Sequence, residues 1–368
     1  MKLIILRSNL KSGCASLERS VVENNNLPIL KNILLKADVR LTLQATNLEL
    51  GATYQTSAKI TEPGSISIPF GPLSNIIQNA SSERISLESV GNVLTVKTDN
   101  YEAKIQGIAP EEFPIIPRLE TEIASIQVGA EALKSGLTNI IGAAATNDLK
   151  PELNSILFDI QAGSFKIAAT DGFRLAEKTF SPNTFAASIG EPLKALVPLK
   201  TIQEILRIFP GDEQLTVSFD QNQVQCSAKD ITLISRLIDG TYPDYTAIIP
   251  KQSQLEVESG REELAGAVKL VSNFSGKASD VTLTLSGEVV SVSASSQLVG
   301  ENSYQVKAKV KKGNGPAEIV FNWRYLLDGL RSLPGSEVRI GIHQEGKPII
   351  LRPGDDESVF YIVMPIQR

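Results

Sequence analysis

The chain has 368 residues, of which 42% are hydrophobic, 5% aromatic and 21% charged, with a net charge of −5 and a pI near 5.3. That length exceeds one ordinary domain and points to two or three, each able to bury its own core, and the balanced composition excludes a disordered or membrane-spanning chain. The acidic balance excludes a whole-surface attraction for nucleic acid, so any basic site has to be local.

In chain order, Met1 to Leu6 opens like the apolar core of a secretion signal, but Arg7 and Lys11 end it well short of the roughly 7 to 15 residues such a core needs. The chain is therefore expected in the cytoplasm. Leu10, Cys14, Leu17 and Val21 follow at helical spacing and predict an amphipathic helix. Leu43-Gln44-Ala45-Thr46 ends an alternating stretch that reads as a strand. Ile68-Pro69 then leads into a second helix carrying Leu73, Ile76 and Ile77. Strands return, joined by short turns such as Val90-Gly91-Asn92, and the segment closes on a proline-rich joint from Phe113-Pro114 through Pro117.

The same order recurs twice. Leu10-Lys11-Ser12-Gly13 returns as Leu133-Lys134-Ser135-Gly136 and more faintly as Leu264-Ala265-Gly266-Ala267. Leu43 to Asn47 is echoed by Ile167-Ala168-Ala169-Thr170-Asp171 and by Val292 to Ser296. Second helices follow on Ile202, Ile205, Leu206 and Phe209, and on Leu326, Leu327, Leu330 and Leu333. A second joint runs from Tyr242-Pro243 through Pro250. Such internal repetition predicts an α+β protein of three tandem copies, each with two helices packed on antiparallel sheets, over residues 1–121, 122–250 and 251–368.

Supply limits the chemistry. Cys14 and Cys226 stand singly in apolar patterns, as buried thiols do, with no disulfide framework or paired-cysteine site. The single histidine, His343, reads as a surface residue, and no glycine-rich phosphate loop occurs. Thr170-Asp171-Gly172 resembles a nucleophile or metal turn, but its counterpart Thr46-Asn47-Leu48 lacks the acid, so a structural turn is the better reading. Glu111 and Glu112 read as solvated charges. No cofactor and no metal is expected, and an enzyme would rest on Asp171 alone.

The helices carry the informative polar residues. Aligning the second helices puts Lys200 and Arg207 in the slots of Arg324 and Arg331, two turns apart on one face, where the first copy has Gly71 and Gln78. On the first helices Lys11 and Lys134 share a slot that Ala265 fills in the third copy. These are either ordinary solvated faces or, with repeats side by side, a surface for a phosphate backbone. The absence of interleaved aromatics disfavours base readout and single-strand stacking.

Leu27-Pro28-Ile29-Leu30, Leu153-Asn154, Ala169 to Leu175, Tyr242-Pro243-Asp244-Tyr245 and the terminal Tyr361-Ile362-Val363-Met364-Pro365-Ile366, in this order across three repeats, resemble the beta sliding clamp family of bacterial DNA polymerase III. The resemblance runs from end to end. It implies a homodimer ring of six pseudo-equivalent domains that encircles duplex DNA without sequence preference and tethers the replicative polymerase, without catalysis and without a membrane. Lys11, Lys134, Lys200, Arg207, Arg324 and Arg331 would face the DNA. It also implies a cleft for hydrophobic peptides from the polymerase, the clamp loader and other partners. Carried over residue by residue, that cleft comprises Leu153, Thr170, Gly172, Phe173, Arg174, Leu175, Pro243, Ile248, Tyr325, Val363, Met364, Pro365 and Ile366. At the dimer contact, Ile105 of one subunit would meet Leu270 and Val271 of the other.

Four places depart from the family pattern. Phe173 stands where many relatives have histidine, Ala247 where arginine is frequent, and the chain ends Gln367-Arg368 instead of a basic residue and leucine. Asn24-Asn25-Asn26 lacks the Arg-Pro often found in that loop. A three-repeat protein scaffold that binds no DNA is the competing reading, for which the acidic pI speaks.

Overall fold

A computed structural model describes residues 1–24, 26–147, 149–250, 252–313, 317–343 and 346–367. Asn25 and Arg368, both singled out above, lie outside the described residues. Six α-helices occur among them: α1 (Arg7–Leu17), α2 (Phe70–Asn79), α3 (Ala130–Ile140), α4 (Leu199–Ile208), α5 (Arg261–Val271) and α6 (Trp323–Ser332). The odd-numbered helices have 11 residues and the even-numbered ones 10, so the repeat is kept at the level of single turns. Each buries one stripe. In α5 it is Leu264, Ala267, Val268 and Val271, the spacing that puts side chains on one face. Proline ends the strand before α2 and before α4, at Pro69 and Pro198; before α6 Asn322 instead caps the helix, its side chain accepting from the Arg324 N–H at 3.0 Å. None of these helices is long and apolar enough to cross a membrane.

The described chain forms two compact units. Unit one comprises residues 1–131, 186–190 and 200–237; unit two comprises 132–185, 191–199 and 238–368. The middle third of the sequence is thus divided between them.

Unit one holds a five-stranded sheet in the order Lys59–Glu62, Lys2–Leu6, Arg84–Val90, Val93–Lys97, Glu102–Gln106. It also holds most of a nine-stranded sheet, which runs Phe185–Ile189, Ala124–Gly129, Gln214–Phe219, Gln223–Ser227, Ile231–Arg236, Leu50–Thr56, Leu41–Thr46, Asn32–Ala37, Gly64–Pro69. Its central pairing, Ile234 opposite Gly51 and Leu233 opposite Ala52, carries the sheet across the joint read near residue 121. Inward residues such as Leu41, Leu43, Leu215 and Val217 are fully or almost fully buried, each worth roughly 1.5–3 kcal/mol on burial.

Unit two holds one twelve-stranded sheet. Leu193–Pro198, Ser155–Gln161, Ser164–Thr170 and Arg174–Phe180 come first, followed by Val359–Val363, Ile349–Pro353, Glu337–Ile342 and Leu255–Gly260. Gly300–Lys312, Val289–Ser296, Asp280–Ser286 and Ala317–Asn322 complete it. Here too a joint is bridged by main chain: Arg174 lies opposite Val363 and Leu175 opposite Ile362. The long strand Gly300–Lys312 pairs with Val289–Ser296 through its first half and with Leu255–Gly260 through its second.

Candidate functional site

The turn Thr170 to Leu175 is built by its own side chains. Thr170 Oγ1 donates to the Arg174 carbonyl at 2.6 Å and accepts from the Gly172 N–H at 3.1 Å, while Asp171 Oδ1 accepts from the N–H groups of Phe173 and Arg174 at 2.9 and 3.0 Å. Thr46 and Asn47 make the same four bonds to Leu48, Glu49 and Leu50 in unit one. Asp171 is therefore a turn-forming residue, as the comparison of the two copies predicts. The third turn position has positive φ in both, +90° at Gly172 and +76° at Leu48. Glycine takes it freely and leaves open space above the turn; leucine holds it under strain.

Arg174 leaves this turn as a clamped cation. Its Nε donates to Asp171 Oδ2 at 2.9 Å and its Nη1 to Asp328 Oδ2 at 2.5 Å, and its guanidinium carbon lies 4.5 Å from the centroid of the Tyr325 ring. Tyr325 and Asp328 sit three residues apart on α6 and so share a face. Phe173, 60% exposed, stacks on Tyr325 at 6.2 Å between centroids. The Phe173 carbonyl accepts from the Met364 N–H at 2.9 Å, which draws the half-buried run Met364-Pro365-Ile366 to the turn. The geometry is an aromatic ledge with its charges neutralised, beside a short apolar strip.

On the sheet face opposite Arg174 lies a buried cluster that includes Leu157, Leu175, Leu196, Tyr245, Phe360 and Ile362, with Tyr242 and Ile249 packed against it. The Tyr245 hydroxyl donates to Glu177 Oε2 at 2.6 Å, and Lys166 Nζ reaches Glu177 Oε1 at 3.4 Å. Burial, then the bond to Glu177, pushes the Tyr245 phenol well above its ordinary value. Of the residues carried over by resemblance, Leu175 and Val363 are wholly buried and Leu153 and Thr170 nearly so; Pro243 and Ile248 are exposed on the connector above. The structure thus brings the turn, the ledge and the terminal strip together, with Leu175 and Val363 as core on opposite faces of the sheet.

Similarity to known proteins covers the chain in three consecutive pieces. Residues 1–117 match the DNA polymerase III beta subunit, N-terminal domain; residues 127–244 its central domain; residues 246–367 its C-terminal domain. The chain belongs to the DNA polymerase III beta subunit family. It is 29% identical over 377 residues to the beta sliding clamp of Synechococcus elongatus, covering 100% of this chain and 99% of that one. To the beta sliding clamp of Staphylococcus epidermidis it is 27% identical, covering 95% and 94%. Its fold superimposes on the crystal structure of the Pseudomonas aeruginosa DNA polymerase sliding clamp with a TM-score of 0.94 at 24% identity, covering 100% of both chains. For the beta subunit of DNA polymerase III from Thermotoga maritima the score is 0.90 at 23% identity, covering 100% and 99%. The fold is accordingly that of three clamp domains, and the family is one of sliding clamps, non-catalytic processivity subunits of the polymerase.

Within this family the helix cations gain a structural register. Lys200 and Arg207 are the second and ninth residues of α4, as Arg324 and Arg331 are of α6 and Gly71 and Gln78 of α2. Lys11 and Lys134 are each the fifth residue of their helices. Lys11, Lys200, Arg324 and Arg331 are exposed and Lys134 half-buried, with Arg324 resting 5.2 Å from the Trp323 ring centroid. Arg207 differs from these in its contacts. Its donors are committed within unit one: Nη2 to Glu204 Oε2 at 2.6 Å, Nη1 and Nη2 to the carbonyls of Ala15 and Ser16 at 2.5 and 3.1 Å. It holds the C-terminal end of α1, where a cation is favoured.

The three residues expected at the subunit contact differ in exposure. Ile105 is only 6% exposed and Val271 only 1%, whereas Leu270 is 55% exposed. Alternation explains the first, since Ile105 pairs with the buried Leu94 and points inward while Lys104 and Gln106 point out. Val271 ends the buried stripe of α5, one residue beyond the outward Leu270.

Asp328, Tyr242, Tyr245 and Glu177 escaped the sequence reading as site residues. A usable signal existed for Asp328, three positions after Tyr325 on a helix face; the pairing of Tyr245 with Glu177 spans 68 residues and has no local trace. Burial, then Arg352 and Lys312, pushes the His343 pKa below the ordinary imidazole value.

Proposed function

We propose that two copies of this chain close head to tail into a ring around duplex DNA and hold the replicative polymerase there, with domain limits at 1–121, 122–250 and 251–368. The ledge and strip of Phe173, Arg174, Tyr325 and Met364 receive short apolar peptide segments of the polymerase, the clamp loader and other partners. Lys11, Lys134, Lys200, Arg324 and Arg331 offer weak phosphate contacts that carry no sequence information and permit sliding. Free, buried Cys14 and Cys226 fit a reducing, cytoplasmic setting.

The observation that carries the ring is a strand pairing repeated twice within the chain and left over once. Inward residues mark its register: Ala45 opposite Ala52, Ala169 opposite Ala176 and Ala294 opposite Asn302. The residue before the second member, Gly51 or Leu175, pairs across its joint with Ile234 or Ile362. The third such residue is Glu301. Glu102–Gln106 ends the five-stranded sheet with one edge unpaired among the described residues. On it Lys104 corresponds to Ile234, since their partners Thr95 and Gln225 each stand three residues after the turn asparagines Asn92 and Asn222. By this register Lys104 of one copy faces Glu301 of the next. Both are exposed, with opposite charges that stabilise a direct cross-strand pair.

The test is retention on DNA. Protein loaded on nicked circular plasmid should stay bound and run off when the plasmid is linearised; equal retention on both forms would sink the ring. Lys104→Glu should weaken the dimer in sedimentation, and the double variant Lys104→Glu/Glu301→Lys should restore it. A monomeric wild type at micromolar concentration would refute the proposal outright.

A further inference from the structure

The two bridged sheets share a register but finish their outer faces differently. Across the joint of unit two run Ile350, Ile362 and Leu175; across that of unit one run Gln225, Ile234 and Gly51. In unit two the connector drops Tyr242, Tyr245 and Ile249 onto this face and closes it with an apolar cluster. In unit one Ile116 occupies the position of Tyr245, and Gln44, Gln225 and Thr232 stand where unit two has Ala168, Ile350 and Phe360. The result is an open groove of about 770 Å³ between the sheet and the connector.

The groove has an unusual wall. The connector is pinned at one end by Ile116, whose Cγ2 lies so close over Gly51 that a Cβ there would meet it at 2.6 Å. At the other end the Ile123 N–H bonds the Phe219 carbonyl at 2.8 Å. Between the pins, the backbone N–H groups of residues 118–122 make no bond among the described residues. A smaller groove of about 400 Å³ lies between the connector and residues 220–223. The connector, bent at Glu120 and Thr121, therefore presents main-chain donors between two grooves, where the main chain of an incoming peptide can accept them.

The lining says what could be added. Its floor offers amides and hydroxyls, which suit main chain and polar side chains and not an apolar helix face. At the rim Lys36 and Arg118 balance Asp38 and Glu122, while Arg40 is held by Asp230 at 2.6 Å. The lining contains no aromatic side chain, which disfavours a stacked single strand of nucleic acid. We propose that this groove docks an extended, polar, charge-balanced polypeptide segment of a partner protein, its main chain pairing with residues 118–122 and its side chains lying on Gln44, Gln225 and Thr53.

A phage library of random dodecapeptides selected on the full chain tests this. Expected are polar clones that slow amide hydrogen exchange at residues 118–122 and bind at least about tenfold more weakly to Thr53→Trp/Gln225→Trp, which fills the floor. They should also weaken with Thr121→Pro, which deletes one connector donor from an exposed position, and keep their affinity for Phe173→Ala. Clones lost only with Phe173→Ala would belong to the ledge in unit two and overturn the proposal. So would an empty selection, clones indifferent to all three variants, or an oligothymidylate that competes for the groove, which would assign it to nucleic acid.

Discussion

Arg207 and Glu204 meet at 2.6 Å on one face of α4, and the same guanidinium donates to two carbonyls at the end of α1. Glu204 is almost fully buried and, among the described residues, is balanced by Arg207 and, at 3.6 Å, by Arg19. Removing Arg207 leaves a buried carboxylate and two helix carbonyls under-satisfied. Arg207→Ala should therefore destabilise the chain by about 2–4 kcal/mol, read as a lower denaturation midpoint. Lys200→Ala, one turn-pair away but exposed, should leave the midpoint unchanged. Equal small effects would return Arg207 to the solvated class.

Arg174 is held by two carboxylates and a ring face, and only a planar guanidinium satisfies all three. Arg174→Lys should loosen the Phe173–Tyr325 ledge and weaken binding of an apolar clamp-binding peptide by roughly tenfold or more. Asp328→Asn, which keeps the shape and removes one charge, should cost less. Calorimetric titration separates the two, and an unchanged affinity for Arg174→Lys would remove the ledge from the site.

Gly172 has φ +90° and open space where a Cβ would stand. Gly172→Ala should thus cost about 1 kcal/mol through backbone strain alone, after allowing for the stiffer unfolded chain. A loss several times larger would mean the added methyl meets something, against the observed clearance.

Asp356 gives a pH signature. Burial alone would raise its carboxyl, but the Ser358 hydroxyl and N–H and the Lys178 ammonium outweigh burial and hold it below the usual value. A folded-state pKa below the unfolded one contributes stability above the unfolded value, about pH 4, and loses it as pH falls through the folded value. The stability gap between wild type and Asp356→Asn should be constant near neutrality and close on acidification below about pH 4. A gap that widens on acidification would contradict the assignment.

Much of the fold was legible because its signals are local. Helical spacing placed all six helices, and equivalent slots held to the residue, since Lys200, Arg207, Arg324 and Arg331 do occupy matching positions of α4 and α6. The turn of Thr170 and Asp171 could be read as structural from its second copy at Thr46 and Asn47, because side chains bond backbone only two to four residues away.

Tertiary structure alone decided how those residues are used. Arg207 was legible as a cation on a helix face, but its partners Ala15 and Ser16 lie more than 190 residues away in sequence. Ile105 and Leu270 are both apolar, and only packing tells that one is core and the other surface. Two connectors with similar proline-rich signatures likewise diverge, one closing its sheet with Tyr242 and Tyr245, the other leaving a polar groove. Composition and period report which face a residue can take; the free energy of burial and pairing, summed over neighbours brought together from distant positions, decides which contact it makes.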